Sequence, residues 1–339
     1  MKRIHWIDIA RGIGIILVIQ AHSLSAHTYR HFIYAFHMPL FFFLSGLLFD
    51  YKKYSFSLTF KKSVRGILIP YLLFALLSYS IWLFQNNAFL NFDFSAFLYH
   101  LSGIIYGNSS SIFFNIVLWF LPCLFITKII FAFISSKITN PRILFLVLIL
   151  FSIGGYLTAS FFPNIHLPFG LESALTAIVF FGVGSIIKTN YSDRVEIISR
   201  KKIIPYLFLS FGLLIIAGQI NFNIHGEQID IRMNHLGNYF LLYIGAISGI
   251  VVTLVISKLI SKNKVLESVG INSLALFALH PIIFFYFDMI LRLFTNINLW
   301  AEKDLYLSYF YTAVGIGTIL FLVFIKKYIK FTNYLDKLN

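Results

Sequence analysis

Charge is scarce in this sequence. Of 339 residues, 12% are charged, and acids are the rarer sign, with 13 Asp and Glu against 27 Lys and Arg. A soluble domain is about a quarter charged, so a water-exposed globule is excluded on composition. Cysteine is nearly missing as well: the single Cys123 excludes an intrachain disulfide and leaves the redox compartment unread. No HExxH, CxxC or paired-His spacing points to a metal, and no GxxxxGK[ST] or GxGxxG points to a phosphate-cradling nucleotide loop. Internal repeats and low-complexity tracts are lacking too, which weighs against the inverted-repeat transporters.

What is present is apolar. Hydrophobic residues make up 59% of the chain and aromatics 19%, and the mean hydropathy is +0.83. Runs long enough to cross a bilayer recur at 7–23, 32–49, 67–84, 112–134, 143–162, 171–187, 203–220, 238–258, 271–294 and 305–325. The expected fold is therefore an all-α polytopic membrane protein of about ten transmembrane helices, forming a single domain over 1–339. Pro163 and Pro168 blur the division between the fifth and sixth runs.

The loops fix an expected orientation. With both termini cytoplasmic, all the basic residues fall on the inner side except Arg30, Arg232, Arg292, Lys303 and, within the first helix, Arg11. The net charge of +14 then fits anionic lipid rather than nucleic acid, for which no motif is present. The start, MKRIHWIDIARG, reads as a retained anchor and not a cleaved signal, because Asp8 and Arg11 interrupt the apolar run and no A-x-A site follows cleanly. The outer segment 85–111 carries no Lys or Arg and many aromatics, so it is expected to lie along the interface.

Ionisable groups inside a membrane need a reason. Arg11 and His22 are eleven residues apart, three helical turns, so they share one face about 16 Å apart along the axis. Alone, Arg11 reads equally as a snorkelling cation or as a functional one, and a pair with Asp8 one turn earlier is a further structural reading. A lone membrane His is more often structural than catalytic, and Gln20 and Ser23 beside His22 raise the functional reading without deciding it. His37 opens the next run in AFHMPLFFFLSG, where Ser45-Gly46 suits close helix packing. In the inner loop FKKSVRGILIPY, Lys62 and Arg65 are explained by topology or, more sharply, by the phosphates of a donor. Glu172, at a helix start, and Asp230, in IDIRMNHLG, have bland dipole and loop readings, yet either acid could orient a catalytic His. His280, next to Pro281 in NSLALFALHP, falls mid-membrane, where the proline leaves backbone groups for it to satisfy.

The spacing Arg11–x10–His22 resembles the R-x10-H motif of the acyltransferase family 3 membrane proteins. HMPLFFFLSG (37–46), LWFLPCLF (118–125) and NSLALFALHP (272–281) look like its fucose 4-O-acetylase-related branch, and Lys62–Arg65 matches a basic R/K-x-x-R loop. The resemblance implies a multi-pass enzyme of the bacterial inner membrane. It would move an acyl group, usually acetyl, from cytoplasmic acetyl-CoA to a hydroxyl of a polysaccharide or lipid-linked glycan. His22 would be catalytic; the residues themselves offer Glu172 or Asp230 to orient the imidazole and His37 as a second candidate base or an oxyanion donor. Arg11, with Asp8 beside it, and Lys62 and Arg65 would hold the donor. Some members carry an added extracytoplasmic domain; this chain ends soon after its last run and is expected to act alone or to pass acyl groups to a partner.

Thioester acyl transfer needs a base for the acceptor hydroxyl and a donor for the developing oxyanion, but no metal. Direct transfer and an acyl-histidine intermediate both satisfy it. Two other classes compete: a transporter or flippase for a lipid-linked saccharide, and a structural subunit of a polysaccharide-export complex.

Overall fold

The computed structural model describes residues 4–24, 29–85, 93–197, 200–295 and 305–335. Among them the chain is helical, with no strand beyond one isolated bridge between Asp230 and His235. The helices are α1 (His5–Ser23), α2 (Arg30–Tyr34), α3 (His37–Leu47), α4 (Phe56–Ser63), α5 (Ile69–Gln85), α6 (Phe94–Tyr106), α7 (Phe120–Lys137), α8 (Pro141–Phe161), α9 (Leu171–Ile197), α10 (Arg200–His225), α11 (Tyr239–Ile260), α12 (Lys264–Ile271), α13 (Ser273–Thr295) and α14 (Leu305–Leu335). The side chains of Lys2, Arg3, Arg194, Arg200, Lys201, Lys202, Lys303, Lys326, Lys327, Lys330 and Lys337, which enter the charge argument, lie outside those described.

Eight of the described helices are long and apolar enough to cross a membrane. Two of the ten expected runs fall short of that test, for different physical reasons. α1 has 19 residues, about 28 Å of helix at 1.5 Å per residue, but Asp8, Arg11, Gln20 and His22 dilute its hydropathy. The run 32–49 is not one helix: it is divided at Ala35–Phe36, leaving α3 with 11 residues. The expected basic loop at 61–65 is helical instead. α4 passes through a wide π-type turn, Val64–Leu68, directly into α5.

Polar side chains mark where helices begin. Asp93 accepts from the amides of Ser95 and Ala96 at the start of α6, and Asn140 accepts from Arg142 at the start of α8, with Pro141 in the first turn. Asn263 caps α12 in the same way, and Glu267 returns a bond to the Asn263 amide at 3.3 Å. α6 ends on Gly107, whose φ of 67° suits glycine. This 13-residue helix lies in the segment expected along the interface, with Phe94, Tyr99 and Ile105 exposed; residues 86–92 of that segment are outside the described ones.

The chain forms two compact units, 31–259 and 1–30 with 260–339. In the larger, α9 is central and packs on α3, α7 and α8. Burial follows: 72% of its membrane window is buried, against 28% for α8 and 22% for α10, whose Phe and Leu side chains face outward. Close approach depends on small residues. A Cβ on Gly46 would strike the carbonyl of Phe181, and one on Gly184 the carbonyl of Phe43. In the smaller unit, α1 packs on α12, α13 and α14. Gly12 lies against the backbone of Leu266, and Gly270 against that of Asp8, so the two helices cross backbone to backbone.

Candidate functional site

The Arg11–His22 helix is the core of the smaller unit. Ile7, Ile9, Ile15, Val18 and Ile19 are buried, while Arg11 and His22 are each half-buried on the shared face. Arg11 Nη1 lies 3.7 Å from Asp8 Oδ1, the intrahelical pair expected from their spacing. The start of α1 is tied to α12 by His5 Nδ1, 2.9 Å from Glu267 Oε2.

The far end of α1 is tied to α14 through polar groups. Gln20 Nε2 donates to Ser308 Oγ at 3.0 Å, and Thr312 Oγ1 donates to Gln20 Oε1 at 3.1 Å. Ser23 Oγ lies 2.7 Å from Ser308 Oγ. Gln20 also donates to the hydroxyl of Tyr29, which donates to Tyr309 at 3.1 Å. Burial, with Tyr309 beside it, raises the Tyr29 phenol above its ordinary range and keeps it a donor. This network fixes α1 within one turn of His22.

His22 meets a second imidazole. Its Nδ1 lies 2.8 Å from Nε2 of His280 on α13. The ring planes differ by 9° and the centres are 5.0 Å apart. So short a nitrogen–nitrogen distance between nearly parallel rings is an in-line N–H···N bond rather than a face-to-face stack. His280 is fully buried, and its own Nδ1 lies 3.0 Å from the carbonyl of Leu276. Pro281 has no amide to offer the carbonyl of Phe277, and the His280 ring folds back over that opened turn.

These bonds fix the tautomers by elimination. A carbonyl only accepts, so Nδ1 of His280 carries its proton and Nε2 of a neutral ring accepts. Nδ1 of His22 must then donate, which makes Nε2 the basic nitrogen of a neutral His22. The same bond persists when His22 takes a second proton. In the sequence, His280 shows itself only as a residue placed to satisfy backbone groups beside Pro281. Its partnership with His22 spans 258 positions, and the only sequence signal was an imidazole beside a proline in mid-membrane.

The other candidates lie in the larger unit. His37 is buried, with Nδ1 2.9 Å from the carbonyl of Ile33 and its ring edge-on to Tyr34. Glu172 is buried in the first turn of α9 and accepts from the amide of Leu167 at 3.0 Å. Asp230 accepts from the amide of Arg232 at 3.0 Å and pairs with its guanidinium at 3.0 Å. Ser173, next to Glu172, donates to the carbonyl of Ile231, so the start of α9 and the Asp230 turn adjoin. Each acid thus has a local structural partner.

The basic segment forms an aromatic-lined cationic face. Lys61, Lys62 and Arg65 are exposed, and the π-type turn that carries Arg65 is a feature common near functional sites. Lys62 Nζ lies 4.2 Å from the centre of the Tyr54 ring. Lys128 of α7 lies 5.4 Å from the centre of the Phe49 ring, and α4, which carries Lys62, packs on α7. Cations on helices packed this way favour an anion beside them. The sequence placed Lys128 at an inner helix end and gave no hint that its helix packs on the one carrying Lys62.

The described residues thus form a helical protein with eight apolar spans, in which one helix sets an Arg and a His on a common face and a second His meets the first. Comparison with family models carries this to the family: the acyltransferase domain model matches residues 4–327. The chain belongs to acyltransferase family 3. No curated protein and no solved structure matches it.

Proposed function

We propose that this protein transfers an acetyl group from cytoplasmic acetyl-CoA to a hydroxyl of a cell-surface glycan or its lipid-linked precursor, in the bacterial inner membrane. His22 acts as general base. The observation that carries the reading is the His22–His280 bond, which leaves Nε2 of His22 as the proton acceptor in a chain of the acyltransferase family.

In this reading Nε2 of His22 takes the proton of the acceptor hydroxyl as its oxygen attacks the thioester carbonyl. The tetrahedral intermediate collapses with cleavage of the C–S bond. The thiolate leaves and takes the proton back from the imidazolium, giving an O-acetyl ester and CoA. His280 holds the imidazolium through the same Nδ1 bond, the orienting part that an acid plays in other triads. Glu172 and Asp230 were candidates for that part; their bonds to Leu167 and Arg232 favour local roles, and His280 replaces them in the proposal. His37 remains a second candidate as oxyanion donor. We assign donor binding to Arg11, with Asp8 setting its position, and to Lys62 and Arg65.

The test is release of free CoA from acetyl-CoA by membranes containing the protein when membrane glycan is supplied. The reading expects glycan-dependent release that His22→Ala abolishes. A flippase or an export-complex subunit would release none.

A further inference from the structure

His280 belongs to a ridge on α13. His280, Phe284, Asp288 and Arg292 recur every four residues, so they lie one above another on a single helix face. Asp288 is the member that needs a reason. It lies inside the apolar span Ser273–Phe294 and is 7% exposed, while Met289, Ile290, Leu293 and Phe294 beside it face outward. A carboxylate in such a place is costly and points to a function.

Both oxygens of Asp288 are in use. Oδ2 lies 2.6 Å from Arg292 Nη2, and Oδ1 accepts from the hydroxyl of Tyr311 on α14 at 3.0 Å. The buried Tyr311 ring meets Phe284 edge-on with centres 5.3 Å apart, and Phe284 meets His280 edge-on at 5.6 Å. Gly315, one turn beyond Tyr311, gives Phe284 its room: a Cβ there would lie 3.0 Å from the ring. Rings packed this closely pass on a displacement, because the interior has no slack. The series Asp288–Tyr311–Phe284 thus ends on the imidazole that holds His22. The helices are fastened at three places: α1 to α14 by Gln20 and Ser23, α1 to α13 by His22 and His280, and α13 to α14 by Asp288 and Tyr311.

We propose that Tyr311 is a positioning residue for the His22–His280 pair, with Asp288 as the acceptor that holds its hydroxyl and Arg292 as the partner that turns the Asp288 carboxylate toward α14. The α1–α14 and α13–α14 bonds together set where α13 stands against α1. The 2.8 Å separation of the two imidazole nitrogens depends on that setting, and an N–H···N bond weakens steeply when its geometry slips. That the pair serves acyl transfer rests on the function proposed above; that Tyr311 fixes the pair does not.

Two measurements on the full-length protein in detergent test this. NMR of isotope-labelled histidine reads the coupling across the N–H···N bond and needs no turnover. The wild type should show coupling between Nδ1 of His22 and Nε2 of His280. Tyr311→Phe, which keeps the ring and removes only the hydroxyl, should lose it, and Asp288→Asn, which keeps an acceptor for Tyr311, should retain it. Asp288→Leu removes the same bond and serves if Tyr311→Phe fails to fold. In the second measurement, Tyr311→Phe should lower kcat for CoA release about three- to tenfold, the scale of one hydrogen bond, with KM for acetyl-CoA unchanged. Added to His280→Ala it should cost no more than about twofold further, whereas independent sites would multiply. No coupling in the wild type, coupling unchanged by Tyr311→Phe, or losses that multiply in the double variant overturns the proposal. The two readings fail separately. Tyr311-dependent coupling without glycan-dependent CoA release removes the acyl-transfer reading alone, and CoA release with Tyr311-independent coupling removes this inference alone.

Discussion

Nδ1 of His22 and Nε2 of His280 are 2.8 Å apart, and the second ring is anchored in turn to the Leu276 carbonyl at 3.0 Å. The chain carbonyl–His280–His22 runs in one sense only. In the proposed function His22 is then the base and His280 a positioning residue that does not touch the acceptor.

The first prediction separates these two roles. His22→Ala should lower acetyl transfer about a thousandfold or more, the scale of a lost general base. His280→Ala should cost roughly ten- to a hundredfold, as loss of an orienting partner does, and mainly in kcat. It should also move the lower limb of the pH–rate profile, because Nδ1 of His22 loses the acceptor that stabilises its charged form. A purely structural His280 would change the amount of folded protein and leave the limb where it is.

A second prediction concerns the donor. Lys62→Ala and Arg65→Ala should raise KM for acetyl-CoA several-fold with less change in kcat, since they act on the bound phosphates and not on the thioester. Lys128→Met should do the same, since α7 packs on the helix that carries Lys62. Michaelis–Menten series in acetyl-CoA check this. An effect confined to kcat would remove the cationic face from donor binding.

Packing in the smaller unit gives a third prediction. Gly270→Val should separate α1 from α12, because even a Cβ at that position meets the backbone of Asp8. Overpacking of this kind costs about 1–3 kcal/mol, to be read as a lower thermal midpoint of the purified protein. Gly66→Ala is the control, since nothing lies within 4 Å of its Cβ position.

Much of this architecture was legible in the sequence because lipid imposes a simple code. Long apolar runs became α5, α7, α8, α9, α10, α11, α13 and α14, with α7 starting late and α9 and α14 running past their expected ends. The Asp8–Arg11 pair followed from helical spacing alone. Three features were not legible. The run at 32–49 is uniformly apolar, and hydropathy does not register the break at Ala35–Phe36. The basic segment 61–65 reads as a loop by charge but continues as helix, since Lys and Arg are good helix formers. The His22–His280 contact is purely tertiary, and spacing in a sequence carries no information about it.

A fourth prediction concerns orientation. If the termini are cytoplasmic, a cysteine replacing Ser110 should react with a membrane-impermeant maleimide in intact cells, and one replacing Lys53 only after permeabilisation. Both positions are exposed, and the native Cys123 is fully buried, which keeps the background low. The reverse pattern would invert the topology and put the donor cations on the wrong side.

The most direct measurement is mass spectrometry of surface polysaccharide from cells lacking the gene, complemented with wild-type protein or with His22→Ala. The account predicts an acetyl substituent that is restored by the wild type and still missing with His22→Ala present at normal membrane levels. An acetyl substituent restored equally by both would contradict it.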